Sequence, residues 1–217
     1  MMASFPKKLS EITGFLQRSP VSLTNAHRDG RINSAHHEDQ IVEHLRNNGF
    51  DKNYFSTSED LDLSNRCWFD ILVKDGDRVH PVNIKTSSHK SADNACNFLA
   101  LNWALTDIDI EFSATPHAGR DTRNFVSWAQ GNRGYSERDY YFISVNKNNT
   151  EEVILNSIKR MPEVSSNPNN LPFQVCWENN KHSIERTNKE AVEYYMSILK
   201  ESFEKDWRMN LAEYLLE

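Results

Sequence analysis

The chain has 217 residues, 38% hydrophobic and 26% charged, with a net charge of −6. That length suffices for one domain with a real core, and no apolar run reaches the length of a membrane span. The negative charge speaks against a basic domain that coats nucleic acid nonspecifically, but a local patch, or a site that collects carboxylates for a metal, is compatible with it.

Residues 1–8 lack the apolar core of a signal peptide. The three cysteines, Cys67, Cys96 and Cys176, fall in no metal or disulfide spacing. A reducing cytoplasm is therefore the expected setting. Residues 9–16 form a short amphipathic stretch stopped by Ser19-Pro20, and 21–32 read as a polar loop with a turn at Asp29-Gly30. Asn33 or Ser34 is placed to cap a helix over 35–48 that Gly49 ends. Ile41, Val42 and Leu45 give its buried stripe, and Glu38, three and four residues earlier, lies on the same inward face. Asp39 and Glu43 point outward. An inward carboxylate needs a partner, because an unpaired buried charge is costly; the plainer reading puts Glu38 at the rim or on a backbone group. His36 and His37 are adjacent and do not share a helix face, which argues against a metal pair.

Residues 54–58 read as a short strand and 59–62 as a solvated acidic loop. Residues 67–74 read as a strand buried on both faces, followed by the hairpin signal Asp75-Gly76 and a second strand over 79–86. Alternation puts Asn83 and Lys85 on one face of that strand and Val82 and Ile84 on the other. Pro81 cannot donate to a ladder, so the start of the strand is expected at an edge or a bulge. Residues 88–93 are a polar loop with His89 and Lys90, and Asp93 is placed to cap a helix over 94–105 with Phe98, Leu101 and Leu105 as its stripe. A short strand is expected at 108–112.

Residues 114–138 read as a long polar loop, in which Arg120, Arg123, Asn124, Gln130, Asn132 and Arg133 interleave with Phe125, Trp128 and Tyr135. Arg, Asn and Gln are the side chains that read base edges with paired hydrogen bonds; the alternative is a solvated excursion with a helical turn at 125–128. Beyond it the pattern predicts a strand at 140–145, a helix at 151–161 ended by Pro162, a loop at 165–170 and a strand at 171–178. Thr187 caps a helix to about 205, extending towards 216, with a possible dimer surface. The expected fold is α/β (α+β): one domain over 1–217, with a central mixed sheet flanked by helices. Its catalytic core spans 35–150, its recognition loop 114–138 and its C-terminal helical region 187–217.

The run Phe69-Asp70-Ile71-Leu72-Val73-Lys74, then Asn83-Ile84-Lys85-Thr86, with Glu38 on a helix before them, resembles the PD-(D/E)xK nuclease superfamily and within it the type II restriction endonucleases. The continuation Thr86-Ser87-Ser88-His89-Lys90 resembles the branch that cuts to blunt ends. The resemblance covers 35–105 by motif and the rest by element order. It implies a homodimer that hydrolyses double-stranded DNA with Mg²⁺ at a specific sequence and leaves 5′-phosphates. Asp70, Lys85, Asn83 and Glu38 would be its catalytic groups, and Asp70, Asn83 and Ile84 its metal positions. Thr86, Ser87, Ser88, His89, Lys90 and the polar residues of 120–133 would face DNA.

One departure is plain: the family carries Asp or Glu where this chain has Asn83. An amide oxygen can ligate a cation but brings no charge. Four explanations stay open: a natural Asn with Glu38 or another acid supplying the charge, a carboxylate migrated to Asp93, an Asp-to-Asn change made to block cleavage, or a member that only binds DNA. A repair or junction nuclease is a further reading of the same motif.

Overall fold

The structure is a computed structural model that describes residues 4–26, 30–63, 67–131, 134–167 and 173–205, with 30–32 as backbone alone. The chain runs α1 (Lys7–Arg18), α2 (Gly30–Asn47), β1 (Phe55–Thr57), β2 (Ile71–Asp75), β3 (Arg78–Ser87), β4 (Ala92–Asn94) and α3 (Phe98–Leu105). It continues through α4 (Ala118–Gln130), β5 (Tyr141–Asn146), β6 (Val153–Ser157), β7 (Ser165–Ser166), β8 (Phe173–Cys176) and α5 (Asn188–Glu204). The main sheet has the order β1-β2-β3-β5-β6, and a smaller sheet has the order β4-β8-β7. Among the described residues only the β3–β5 pair is parallel, so the main sheet is mixed and the fold is α+β, as expected.

The period-2 pattern of the strands sends each face of the main sheet to its own core. Ile71, Val73, Val82, Ile84, Ile143 and Val145 pack with Leu9, Ile12 and Leu16 of α1 and Ile41 and Leu45 of α2. Leu72, Phe142 and Ile154 point the other way, into a core with α3, Phe125 and Trp128 of α4, and Tyr195 and Ile198 of α5. The β2–β3 hairpin closes through Gly76-Asp77, with Asp75 paired to Arg78. Gly76 takes φ of +61° there, which an L side chain rarely adopts, while Asp77 keeps a negative φ.

Several expectations are corrected. α2 starts at Gly30, so Asn33 and Ser34 lie inside it and not at its N-cap. Gly49 ends it with φ of +92°. β2 begins only at Ile71, because Trp68 and Phe69 leave the ladder to pack among aromatic side chains. Pro81 sits in the central strand of the sheet, not at an edge. It is tolerated because pairing with β5 starts one residue later, at Val82↔Tyr141.

Asp93 lies in β4 and does not cap α3. That role falls to Asn97, whose side chain accepts the Ala100 N–H at 3.0 Å. α3 is buried on every side instead of showing a stripe, which suits its sequence FLALNWAL. Residues 108–112 form no strand; Ile110 is buried and Phe112 packs against Trp68 and Trp103.

The largest differences are two. Residues 118–130 of the expected loop form α4, with Asp121, Phe125 and Trp128 inward at i, i+4 and i+7. The expected helix at 151–161 is the strand β6, paired antiparallel to β5 from Tyr141↔Ser157 to Val145↔Val153. A short 3₁₀ turn at Trp177–Asn180 ends the expected 171–178 strand after Cys176. α5 begins with the expected cap: Thr187 accepts the Glu190 N–H, and Glu190 reaches back to the Thr187 N–H at 2.7 Å. Its continuation towards 216, like Leu171, lies outside the described residues.

Candidate active site

The site is built on an unfinished ladder. β2 and β3 stay in register down to Ile71↔Val82, and the Asp70 N–H still donates to the Val82 carbonyl at 2.9 Å. Beyond that, among the described residues, Asn83–Ser87 of β3 pair only with Phe142–Asn146 of β5. The Asp70 side chain fills part of the gap, with Oδ2 accepting the Ile84 N–H at 2.6 Å. A carboxylate thus stands where the next strand's carbonyl would be, and it is fixed to the backbone of the lysine strand. The alternation expected for β3 holds: Val82 and Ile84 are fully buried, while Asn83 and Lys85 are half-buried between them.

Glu38 enters from α2, where it accepts from the Ser34 hydroxyl one turn earlier at 3.2 Å. It is half-buried, whereas Asp39 and Glu43 are exposed, as their helix positions demand. Burial raises the Glu38 carboxyl to about 8, with a further push from the Asp70 charge and only partial relief from Lys85 and Ser34. Burial also raises Asp70, to about 6, against the opposing pull of Lys85 and the Ile84 N–H. Two carboxyls and one amine therefore share one electrostatic environment. The Lys85 amine makes no hydrogen bond and no ion pair within 4.0 Å to any described residue, so it is not spent on the fold.

Asn83 adds a buried amide whose Oδ1 has no partner. The Asn83 amide lies close enough to the Tyr140 hydroxyl to ease the upward push of burial on it, and that hydroxyl donates to the Trp68 carbonyl at 2.7 Å. Tyr140 is thus a neighbour of the site that motif spacing could not show, since it comes from β5's approach to the sheet. Asp93 stands close enough to push Glu38 upward, and one of its oxygens accepts the Trp177 indole N–H at 3.3 Å.

Among the described residues, no three His, Cys, Asp or Glu side chains gather as a metal cage. The donors present are the Asp70 carboxylate, the orphaned Asn83 Oδ1 and, beside them, Glu38. All are hard oxygens, which fit Mg²⁺ with retained waters better than a soft metal. Ile84 can offer such an ion only its carbonyl, because its side chain is fully buried and its N–H is taken by Asp70.

The candidate DNA-facing residues divide. Lys90 is exposed and Ser88 shares a 3.0 Å hydrogen bond with Ser91. Ser87 is buried and accepts the His89 N–H at 3.0 Å. Expecting His89 to face DNA is corrected: it is fully buried, with Nε2 at 3.1 Å from the Ser144 hydroxyl. Its carbonyl accepts the Glu178 N–H at 2.8 Å, so it ties β3 to the turn after β8. Arg120, Arg123, Asn124 and Gln130 are exposed on α4, on a rigid element and not a loop. Arg120 is partly engaged, donating to Asp121 at 2.8 Å and to the Thr115 carbonyl at 2.8 Å. Asn132 and Arg133 lie outside the described residues.

No described helix is long and apolar enough to cross a membrane. In comparisons with known proteins, no family model matches the chain and no curated protein matches it either.

Proposed function

We propose that this chain is a Mg²⁺-dependent endonuclease of the PD-(D/E)xK type, hydrolysing double-stranded DNA at a specific sequence and leaving 5′-phosphates. The observation that carries the reading is the open edge of β3, where Asp70 is held on the Ile84 N–H and faces an uncommitted Lys85 beside Glu38. A structural acid–base pair would have closed on itself. Here the acids are held at raised pKa although Lys85 pulls on both, and the amine closes no hydrogen bond or ion pair with either, which suits groups arranged for a third component.

Phosphodiester hydrolysis needs an aimed water and charge to offset what builds on the phosphate and leaving oxygen. Mg²⁺, when bound at Asp70 and Asn83, would supply part of that charge. Lys85 provides the rest, as a donor to a phosphate oxygen and to the attacking water. Glu38, raised towards neutrality, is suited to exchange a proton with that water. The exposed Arg123, Asn124 and Gln130 of α4 offer a rigid reading surface, with Arg120 more restrained. A homodimer working in the cytoplasm would place two such sites on the two strands of a palindrome.

Asn83 favours a second reading, a DNA-binding protein of the same fold that does not cut, because its neutral oxygen weakens the cation site. Plasmid digestion with Mg²⁺ separates the two. Discrete bands support the nuclease and expose its sequence; intact plasmid with DNA retardation supports the binder; scattered structure-dependent nicks point to a repair enzyme. No retardation and no cleavage would remove both readings.

A further inference from the structure

Next to the acid–lysine cluster lies a crevice of about 530 Å³ between α2, the end of β3, β4 and the β5–β6 turn. It continues the cluster directly: Ser34, which bonds Glu38, and Thr86, which follows Lys85, both line it. Most of its lining residues are polar, with the Asn25 amide, Ser88, Ser91 and Lys147 as donors, while the His37 Nε2–H is taken by Asn25 Oδ1 at 3.2 Å. His37 is buried and held below its ordinary pKa by burial and by the charges of His36 and Lys147. Its charge is therefore suppressed near neutral pH, and Lys147 is the formal cation of the lining. Thr86 contributes a buried hydroxyl that has no partner.

The turn that carries Lys147 is built in place. The Lys147 N–H donates to the Ser87 carbonyl at 2.9 Å, and the Asn148 N–H donates to Asn146 Oδ1 at 3.0 Å. Asn146 in turn donates to Glu152 at 2.8 Å. The Lys147 amine, exposed and outside these bonds, is left for a ligand. Asp93 is the acid of the lining, and it already accepts from Trp177.

We propose that this crevice holds the DNA phosphate next to the one that is cut, with Lys147 as its charged anchor and the Thr86 and Ser91 hydroxyls as neutral donors. The inference rests on the nuclease reading, and it makes Lys147 a positioning residue, not a catalytic one. One cation among hydroxyls and amides suits a singly charged phosphodiester, and the crevice abuts the cluster that would engage the scissile group.

The test uses the whole protein and a duplex carrying its cut site, with binding followed by fluorescence anisotropy over a salt series without divalent cation. Lys147→Ala should weaken binding roughly 3–10-fold and reduce the slope of log K against log salt by about one. Lys189→Ala, on the exposed side of α5, should change neither. Uncharged methylphosphonate is then placed in turn at each phosphate flanking the cut. At one of them it should weaken the wild type as much as Lys147→Ala does and weaken Lys147→Ala no further. Cleavage by the wild type together with unchanged binding by Lys147→Ala, or losses that add at both positions, would overturn this inference and leave the nuclease reading standing. A wild type that neither binds nor cuts any duplex would overturn both.

Discussion

Helix α2 serves two acid clusters, and they are opposites. At its last turn Arg46 pairs with Asp60, which also takes Lys52 at 2.9 Å and the Thr57 N–H at 3.0 Å. Burial alone would raise the Asp60 carboxyl, but those partners outweigh it and pull it down to about 2. Arg46 also donates to the Phe55 carbonyl at 3.2 Å and lies over the Phe55 ring, so the expected solvated loop at 59–62 is a clasp joining α2 to β1. Two turns earlier on the same helix Glu38 meets Asp70 with too few donors between them, and both carboxyls are raised. An acid with enough donors holds the fold together; a pair of acids with one donor each is unfavourable when both are charged, and a cation or a proton relieves it.

The largest effect that would break this contrast is on cleavage. Asp70→Ala and Lys85→Ala should each lower plasmid cutting by about 1,000-fold or more while DNA retardation persists, whereas Asp60→Ala leaves the rate per folded molecule unchanged. Full cleavage by the Lys85 variant would end the assignment.

Stability should move in the opposite pattern. Asp60→Asn should destabilise the protein by on the order of 1–2 kcal/mol at pH 7, limited because Lys52 is largely exposed to water. A depressed carboxyl stabilises above its unfolded pKa and loses that contribution as pH falls through its folded value. The penalty should therefore shrink between about pH 4 and pH 2, as urea melts can show.

Asn83→Asp should tighten Mg²⁺ or Ca²⁺ binding by roughly tenfold in calorimetry, because a charge replaces a neutral oxygen. Unaltered affinity would mean that Asn83 is not among the cation's ligands.

The smallest expected effect is the most diagnostic in sign. A carboxyl raised on folding costs nothing below its unfolded pKa, and it destabilises increasingly as pH rises towards its folded value. Without divalent cation, Glu38→Gln should therefore be neutral near pH 4 and stabilise by about 1 kcal/mol at pH 8. A loss of stability at pH 8 would make Glu38 a second structural acid like Asp60.

Local chemistry alone was enough for the hairpin at Asp75-Gly76, the alternation of Asn83 and Lys85, the inward Glu38 and the capping box of α5. In each, the deciding interactions lie within one turn or one strand pair, so spacing reports them. α4 was legible in part, since Asp121, Phe125 and Trp128 have helical spacing, but its glycines and a His117 cap concealed its length. Other features were decided at a distance. Residues 153–157 carry side chains compatible with a helix, yet the free edge of β5 recruited them as a strand. His89 reads as a polar loop residue until the turn after β8 closes over it. The partners of Asp70 belong to this second class as well. Its hold on the Ile84 N–H, the Tyr140 hydroxyl beside Asn83 and the crevice under Lys147 exist because β2 stops short and β5 lies parallel to β3. Residue types and their faces are properties of the chain's local spacing; which groups remain unpaired is a property of packing, and it is the unpaired groups that mark the candidate site.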